Sequence, residues 1–247
     1  MDHSLSPVMW KVAFLELGLD YTYEAIDVLS GELAERFDIL KKEYSGLSIS
    51  MPHKEAIIAL LDEISKEAKM IGAANTVTIR DGKTFGDNTD WIGVRETLAV
   101  IPNLKEKLVL VCGAGGAARS AIYALNMIGI KPFVFNRSPD KLEKLNGNFQ
   151  IEVINDINKL KSIDIFINAT SIGLNEKDIF PISDEQLKNI SYVFDMIYST
   201  TDLSERAKRY GIKIISGKEM LLYQAVRQFK IFTGLDAPIE IMKKAIT

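Results

Sequence analysis

The run from Lys107 to Phe135, "KLVLVCGAGGAARSAIYALNMIGIKPFVF", constrains the fold of this chain more than any other stretch. An apolar strand, "KLVLV", leads directly into the glycine-rich turn "CGAGG". The helix that follows carries Ala118, Ala121, Ile122, Leu125 and Ile128 at an amphipathic period. A second strand, "KPFVF", completes a strand–helix–strand unit. The strands "IEVIN", "DIFINAT", "YVFDMIY" and "IKIIS" come next, with helical segments between several of them. Strands alternating with helices argue for an α/β fold, a parallel sheet covered on both faces. The last run, "GKEMLLYQAVRQFKIFTG", reads as a long amphipathic helix with no strand after it.

The first ninety or so residues have a different character. "PVMWKVAFLELGL" reads as a helix closed by Gly18, and "YTYEAIDV" as the strand after it. In "SISMPHKEA", Ser48 to Met51 alternate like a short strand, and Pro52 suits the first position of a helix. Ile57, Leu60, Leu61, Ile64, Ala68 and Ile71 then follow a helical period, which places Lys54 in the first helical turn. That position is unusual, because the positive end of the helix dipole disfavours a cation there by about 0.3–1 kcal/mol. "TVTIRDGKTFG" reads as a hairpin turning at Asp81-Gly82, and "NTDWIGVRETLAVI" begins another helix. The pattern predicts two α/β domains, with the change near Gly93–Lys107.

The glycine turn "GAGGAA", Gly113 to Ala118, matches G-x-G-x-x-A at the mouth of a strand and the head of a helix. Gly113 permits the tight turn, Gly115 lets the backbone approach a pyrophosphate, and Ala118 allows close helix–strand packing. The helix N-terminus then faces the anion. An ordinary glycine-rich turn is the plainer account. The end of the next strand sharpens the choice. A site for NAD usually has an acid there for the ribose 2′-hydroxyl. Here "FVFNRSPDK" supplies Asn136 and Arg137, with Ser138 and Lys141 behind them. A guanidinium pairs with a 2′-phosphate that a carboxylate would repel, so the pattern favours NADP. Solvated loop charges would give the same letters.

Bulk composition narrows the class. The 247 residues suit one large domain or two modest ones, and a net charge of −3 gives no electrostatic reason to expect nucleic acid or an anionic membrane. The one cysteine, Cys112, excludes an internal disulfide and fits a reducing cytoplasmic setting. No apolar run approaches the roughly 20 residues that span a bilayer, and no secretory signal is visible at the N-terminus. Two histidines and one cysteine, well separated, do not suggest a structural zinc site, so no metal is expected. A small-molecule substrate is the expected partner.

With the cofactor turn in place, other fragments fall into one ordered pattern. They are "HSLSP" at His3–Pro7, "GLSISMPHK" at Gly46–Lys54, "GAANT" at Gly72–Thr76 and "NTDWIG" at Asn88–Gly93. "GAGGAAR", "NRS", "NATSIG", "DMIY" and "GKEMLLYQA" complete the series. Together they resemble the shikimate dehydrogenase family over almost the whole chain. That resemblance implies reversible NADP-dependent reduction of 3-dehydroshikimate to shikimate, in the biosynthesis of chorismate and the aromatic amino acids. It implies a substrate-binding domain at residues 1–93 plus 218–247 and a Rossmann-type NADP-binding domain at residues 94–217. The C-terminal helix is expected to pack back on the first domain, in a monomer or homodimer.

The resemblance also assigns roles. Ser4 and Ser6 would hold the substrate carboxylate, and Ser50 would add a hydroxyl. Lys54 would be the catalytic lysine, paired with Asp90, while Asn75 and Asp90 bind ring hydroxyls. Tyr198 and Gln224 would complete the pocket. On the cofactor side, Gly113, Ala114, Gly115, Gly116 and Ala117 would take the phosphates, and Asn136, Arg137, Ser138 and Lys141 the adenosine end. Thr170 belongs to the same side, with Met196 and Gly217 beside the nicotinamide. A lysine screened from water near a helix N-terminus should hold its proton less tightly, as proton transfer requires, whereas Asp90 favours the charged amine. Plainer roles compete at several positions. Ser4 and Ser6 could cap the first helix, Asp90 could cap "WIGVRETL", Asn75 could close a loop, and Gln224 could be surface.

Three departures from the family pattern stand out. The family has a short strand with a glycine before "HSLSP", one that would lie inside the first sheet, whereas this chain reads Met1-Asp2-His3. Ser50 stands where threonine is usual. "DMIYSTTDL" lacks a proline after the tyrosine and is one residue short. The rival readings are a quinate/shikimate dehydrogenase using NAD, a non-catalytic shikimate-binding relative, and a reductase of another small carbonyl compound. Arg137→Ala is expected to weaken binding of NADP much more than of NAD in a direct titration. An equal loss for both would refute the 2′-phosphate assignment.

Overall fold

The structure is a computed structural model that describes residues 4–175 and 177–247. His3, in the first motif, lies outside the described residues. Two compact units are present, one formed by Met1–Thr89 with Leu222–Thr247 and the other by Asp90–Leu221.

The first unit opens with helix α1, Ser6–Glu16, whose Met9, Trp10, Ala13 and Phe14 are buried. Gly18 stands at φ +62° just beyond its end, in the left-handed region where a glycine costs least. Helix α2, Leu33–Glu43, buries Phe37 and leads to strand β1, Gly46–Ser48. After strand β2, Glu63–Ile64, and helix α3, Lys66–Ile71, comes the expected hairpin. Its strands are β3, Thr76–Arg80, and β4, Lys83–Asp87, with Asp81 and Gly82 at φ +52° and +75°. Two positive φ values are what a two-residue turn matching the right-handed strand twist demands. The sheet order is β1-β3-β4-β2, antiparallel except for the β2–β4 pair.

Two sequence expectations in this unit are corrected. "YTYEAIDV" forms no strand. Its composition favours extended chain, but a strand exists only as part of a hydrogen-bonded ladder, and no described strand pairs with it. The helix expected from Pro52 to Ile71 is also absent. The Met51–Pro52 bond is cis, residues 51–55 form turns, and only a short 3-10 segment, Ala56–Leu60, follows. Local side chains interrupt the helical period. Asp62 Oδ2 accepts from the backbone N–H and the hydroxyl of Thr84, both at 2.8 Å, which ties residue 62 to the hairpin. Ser65 then starts α3 by accepting from Ala68 N–H at 3.0 Å. Ile57, Ala68, Ala74 and Val77 still share one core with Phe37, so the apolar pattern found its burial without one continuous helix.

In the second unit, helix α4, Asp90–Leu98, precedes strand β5, Val109–Cys112, and helix α5, Gly116–Met127. Strand β6, Phe133–Phe135, helix α6, Pro139–Asn148, and strand β7, Glu152–Ile154, follow. Strand β8, Ile165–Asn168, the short helix α7, Asp184–Leu187, and strand β9, Tyr192–Asp195, come next. Helix α8, Asp202–Arg209, and strand β10, Lys213–Ser216, complete the sheet. All six strands are parallel, in the order β10-β9-β8-β5-β6-β7. The order reverses at β5, the doubly wound arrangement that binds dinucleotides at the carboxyl ends of its strands. Val109 and Val111 pack into one core with Ala118, Ile122 and Leu125, while Leu110 packs into another with Phe166, Val193 and Leu203. Burial on both faces explains why these strands read as unbroken apolar runs.

Helix α9, Gly217–Thr233, starts in the second unit and ends in the first, where helix α10, Ile239–Lys244, follows it. Within the first unit, the Phe229 ring of α9 lies 5.4 Å from that of Trp10. The tail thus packs on α1, as expected from the family pattern.

Candidate functional site

In the first unit, Gln224 and the segment carrying Lys54 come together at a buried amide, that of Asn75. Asn75 is 2% exposed and lies between α3 and β3. Its Oδ1 accepts the backbone N–H of Thr89 at 2.7 Å and the Thr76 hydroxyl at 2.9 Å. A backbone N–H only donates, so the amide's orientation is fixed, and Nδ2 faces Thr89 Oγ1 at 3.0 Å and Gln224 Oε1 at 3.3 Å. Gln224 is buried rather than surface. Backbone bonds bring the lysine segment to the same place: Ala74 N–H donates to the Lys54 carbonyl at 2.8 Å, and Ile49 N–H to the Asn75 carbonyl at 2.8 Å.

Lys54 is half-buried and sits in the turn after Pro52. No α-helix begins there, so the helix N-terminus expected to loosen its proton is missing. Ser50 is exposed, two residues beyond β1, and its carbonyl accepts from His53 N–H at 2.9 Å. Ser4 is exposed and Ser6 half-buried. The N-cap of α1 is Leu5 with no side-chain capping bond, so neither serine acts as the cap. The Ser6 N–H donates to Ser4 Oγ at 3.4 Å. The Tyr23 hydroxyl shares hydrogen bonds with Ser48 and Ser6, while burial pushes its phenol above the ordinary value. Its ring stacks on Trp10 at 4.9 Å.

In the second unit, Asp90 is the buried first residue of α4. The cofactor-side residues gather at the carboxyl ends of the parallel strands. Gly113 follows β5, Asn136 follows β6, Thr170 follows β8, Met196 follows β9, and Gly217 follows β10. Gly113 has φ +123°, and a Cβ there would lie 2.7 Å from the Ala169 carbonyl oxygen. Its N–H donates to the Phe135 carbonyl at 2.9 Å, so the turn is pressed against the ends of both neighbouring strands. A Cβ on Gly217 would lie 2.5 Å from the Met196 carbonyl oxygen, which brings those two residues together.

These features fit a dinucleotide. Gly115, the N-cap of α5, makes no side-chain capping bond, and a Cβ built on it meets nothing within 4 Å. Ala114, Gly116 and Ala117 flank it, and the start of α5 has no side-chain cap, so its first N–H groups are ones a phosphate can take. Asn136 Nδ2 donates to the Ser138 carbonyl at 3.1 Å, shaping the loop that exposes Arg137. Lys141 is exposed in the first turn of α6, and among the described residues no carboxylate pairs with it or with Arg137. Their charge is available to a phosphate. Cys112 is buried and its thiol is pushed upward by burial, as befits a strand-end residue without a reactive role. Among the described residues no cluster of His, Cys, Asp or Glu could hold a metal ion, and no helix is long and apolar enough to cross a membrane.

A second polar cluster escaped the sequence reading. Asn168 Nδ2 donates to Asp195 Oδ1 at 2.9 Å, and its Oδ1 accepts the Thr170 hydroxyl at 2.7 Å. Asp195 also accepts from Ile197 N–H at 3.2 Å and from the Thr201 hydroxyl at 2.5 Å. This bracket holds the loops that carry Thr170, Met196 and Tyr198, the last 46% exposed. Thr201 also starts α8 with a capping box to Ser204, which anchors the segment after Tyr198. The signal was present in "NAT" and "DMIYSTT", as short polar residues directly after apolar strands.

The chain matches known proteins along its length. Residues 1–77 match a sequence profile described as the shikimate dehydrogenase substrate binding domain. Residues 96–196 match one described as shikimate/quinate 5-dehydrogenase, and residues 217–247 one described as the shikimate 5′-dehydrogenase C-terminal domain. A shikimate dehydrogenase (NADP(+)) of Methanocaldococcus jannaschii is 41% identical over 267 residues, covering 100% of this chain and 93% of that protein. The crystal structure of shikimate dehydrogenase from Aquifex aeolicus superposes with a TM-score of 0.94 at 39% identity, over 99% of this chain and 93% of that one. The shikimate 5-dehydrogenase of Thermus thermophilus, solved in complex with NADP(H) and shikimate, gives 0.91 at 34% identity, over 99% and 94%.

Burial raises the Asp195 pKa above its ordinary 3.8, against the hydrogen bonds from Thr201, Asn168 and Ile197 that lower it. A folded state that takes up the proton first gains stability as pH falls through the raised value, and the gain ends below the ordinary one. Urea midpoints of the native protein should therefore rise relative to Asp195→Asn across that acidic window. Parallel pH profiles for the two proteins would contradict the assignment.

Proposed function

The chain belongs to the shikimate dehydrogenase family, and we propose that it reduces 3-dehydroshikimate reversibly to shikimate with NADPH, on the route to chorismate and the aromatic amino acids. The observation that carries this reading is the full-length match at about 40% identity to NADP-dependent shikimate dehydrogenases, in a chain that keeps Lys54, Asn75, Asp90 and Gln224 in the family's order. The first unit is the substrate-binding domain, and the second is the NADP-binding domain. A single cysteine, Cys112, which can form no internal disulfide, is in keeping with the reducing cytosol.

The residues divide the chemistry as follows. NADPH supplies the hydride that adds to the ring carbonyl carbon. Lys54 as the ammonium gives a proton to the carbonyl oxygen as that carbon becomes an alcohol carbon, and as the neutral amine it takes the hydroxyl proton in reverse. Ser4 and Ser6 donate to the substrate carboxylate, which fixes one end of the ring. Ser50, Asn75, Asp90 and Gln224 take the ring hydroxyls, and Tyr198 completes the pocket. Asn75 is suited to this because Thr89 N–H fixes Oδ1 as the acceptor end of its amide, and the longer of its Nδ2 contacts with Thr89 and Gln224, 3.3 Å to Gln224 Oε1, is the one a ring hydroxyl would share. On the other unit, Gly113–Ala117 present backbone N–H groups to the pyrophosphate, and Arg137 with Lys141 meets the 2′-phosphate. Thr170, Met196 and Gly217 bound the nicotinamide.

Lys54→Ala should lower kcat by about 10²–10⁴-fold, the usual contribution of a positioned acid–base group. The KM for shikimate should change little in the same steady-state assay. Unchanged turnover would remove Lys54 from the proton transfer.

A further inference from the structure

Beyond the residues already assigned, the structure places Gln228, one turn after Gln224 on α9, at the centre of the same polar cluster. Its side chain is 2% exposed and makes three hydrogen bonds. Nε2 donates to the Asn75 backbone carbonyl and to Thr76 Oγ1, both at 3.0 Å, and Oε1 accepts the Ser48 hydroxyl at 2.9 Å. The backbone carbonyl can only accept, so the amide's two ends are assigned without ambiguity.

A relay follows from that assignment. Thr76 Oγ1 accepts a hydrogen bond from Gln228 Nε2, so its own O–H is left to donate to Asn75 Oδ1, 2.9 Å away. Asn75 Oδ1 is thereby held by Thr76 on one side and by Thr89 N–H on the other, and Nδ2 is turned toward Gln224. Through Oε1 the same glutamine also grips Ser48, whose neighbour in the cluster is the Tyr23 hydroxyl that bonds to Ser6. One side chain on α9 thus reaches the strand before Ser50, the main chain of Asn75 and the hydroxyl that, beside Thr89 N–H, holds the Asn75 amide oxygen.

We propose that Gln228 is a positioning residue for substrate: through Thr76 it sets the direction in which Asn75 and Gln224 meet the ring hydroxyls. The proposal rests on the reading that Asn75 and Gln224 bind those hydroxyls. A glutamate at 228 keeps the shape and reverses the polarity. It cannot donate to the Asn75 carbonyl, and it draws the Thr76 proton away from Asn75 Oδ1. Valine at 76 removes the relay hydroxyl while keeping the branched shape.

The test is steady-state kinetics with shikimate and NADP on the full chain. Gln228→Glu and Thr76→Val should each raise the KM for shikimate by about three- to tenfold, the effect of one misdirected hydrogen bond. The KM for NADP should stay unchanged, and Thr76→Ser should restore the native value. A residue that only stabilises the fold would reduce the active fraction and leave both KM values in place. Asn75→Ala serves as reference. If it raises the shikimate KM while Thr76→Val and Gln228→Glu do not, the relay is wrong and the substrate assignment stands. If Asn75→Ala itself leaves that KM unchanged, the substrate assignment fails and the relay falls with it. Should Gln228→Glu not fold, the Thr76 pair decides.

Discussion

A buried amide must find partners for its donors and its acceptor, and Asn75 meets that requirement by joining four separate stretches of chain. Thr76 and Thr89 hold its oxygen, Gln224 faces its nitrogen, and Gln228 and Ile49 share its backbone carbonyl. An unpaired polar group at this depth would cost about 1–3 kcal/mol. Satisfying it therefore fixes β1, the start of β3, the segment after β4 and the tail helix relative to one another. The Lys54 segment is drawn into the same arrangement by the bond from Ala74 N–H. In this unit the candidate substrate site is tied to the fold by one set of hydrogen bonds.

The second unit solves a different problem by similar means. A dinucleotide needs close backbone approach and uncommitted N–H groups, and the end of β5 supplies both. Gly113 at positive φ lets the turn press against Ala169 and Phe135, leaving no room for a side chain. The head of α5 is left without a side-chain cap, so its first N–H groups keep their capacity for an anion. The described residues of the loops beyond β8 and β9 carry no regular structure of their own. They are held instead by Asn168, Asp195 and Thr201, at the cost of burying a carboxylate.

The parts legible in sequence were those in which one local pattern had one physical outcome. Unbroken apolar strands followed by helices left only a parallel sheet, and the glycine turn with Arg137 nearby indicated both cofactor and face. The hairpin at Asp81-Gly82 was readable because positive φ at two successive positions has few chemical solutions. The helix expected from Pro52 failed because apolar spacing alone cannot detect Asp62 and Ser65 turning their side chains onto the backbone. "YTYEAIDV" failed because strand propensity does not supply a partner for the ladder. Gln228 was passed over as a polar letter in a helical run. Its i+4 spacing from Gln224, on the side that also buries Ala225 and Phe229, was the available sign.

The most direct measurement is the initial rate of reduced-cofactor formation, followed by near-ultraviolet absorbance, with shikimate or quinate against NADP or NAD. The account predicts the highest kcat/KM for shikimate with NADP. A chain that forms no NADPH from shikimate, or that works best on quinate with NAD, would contradict it.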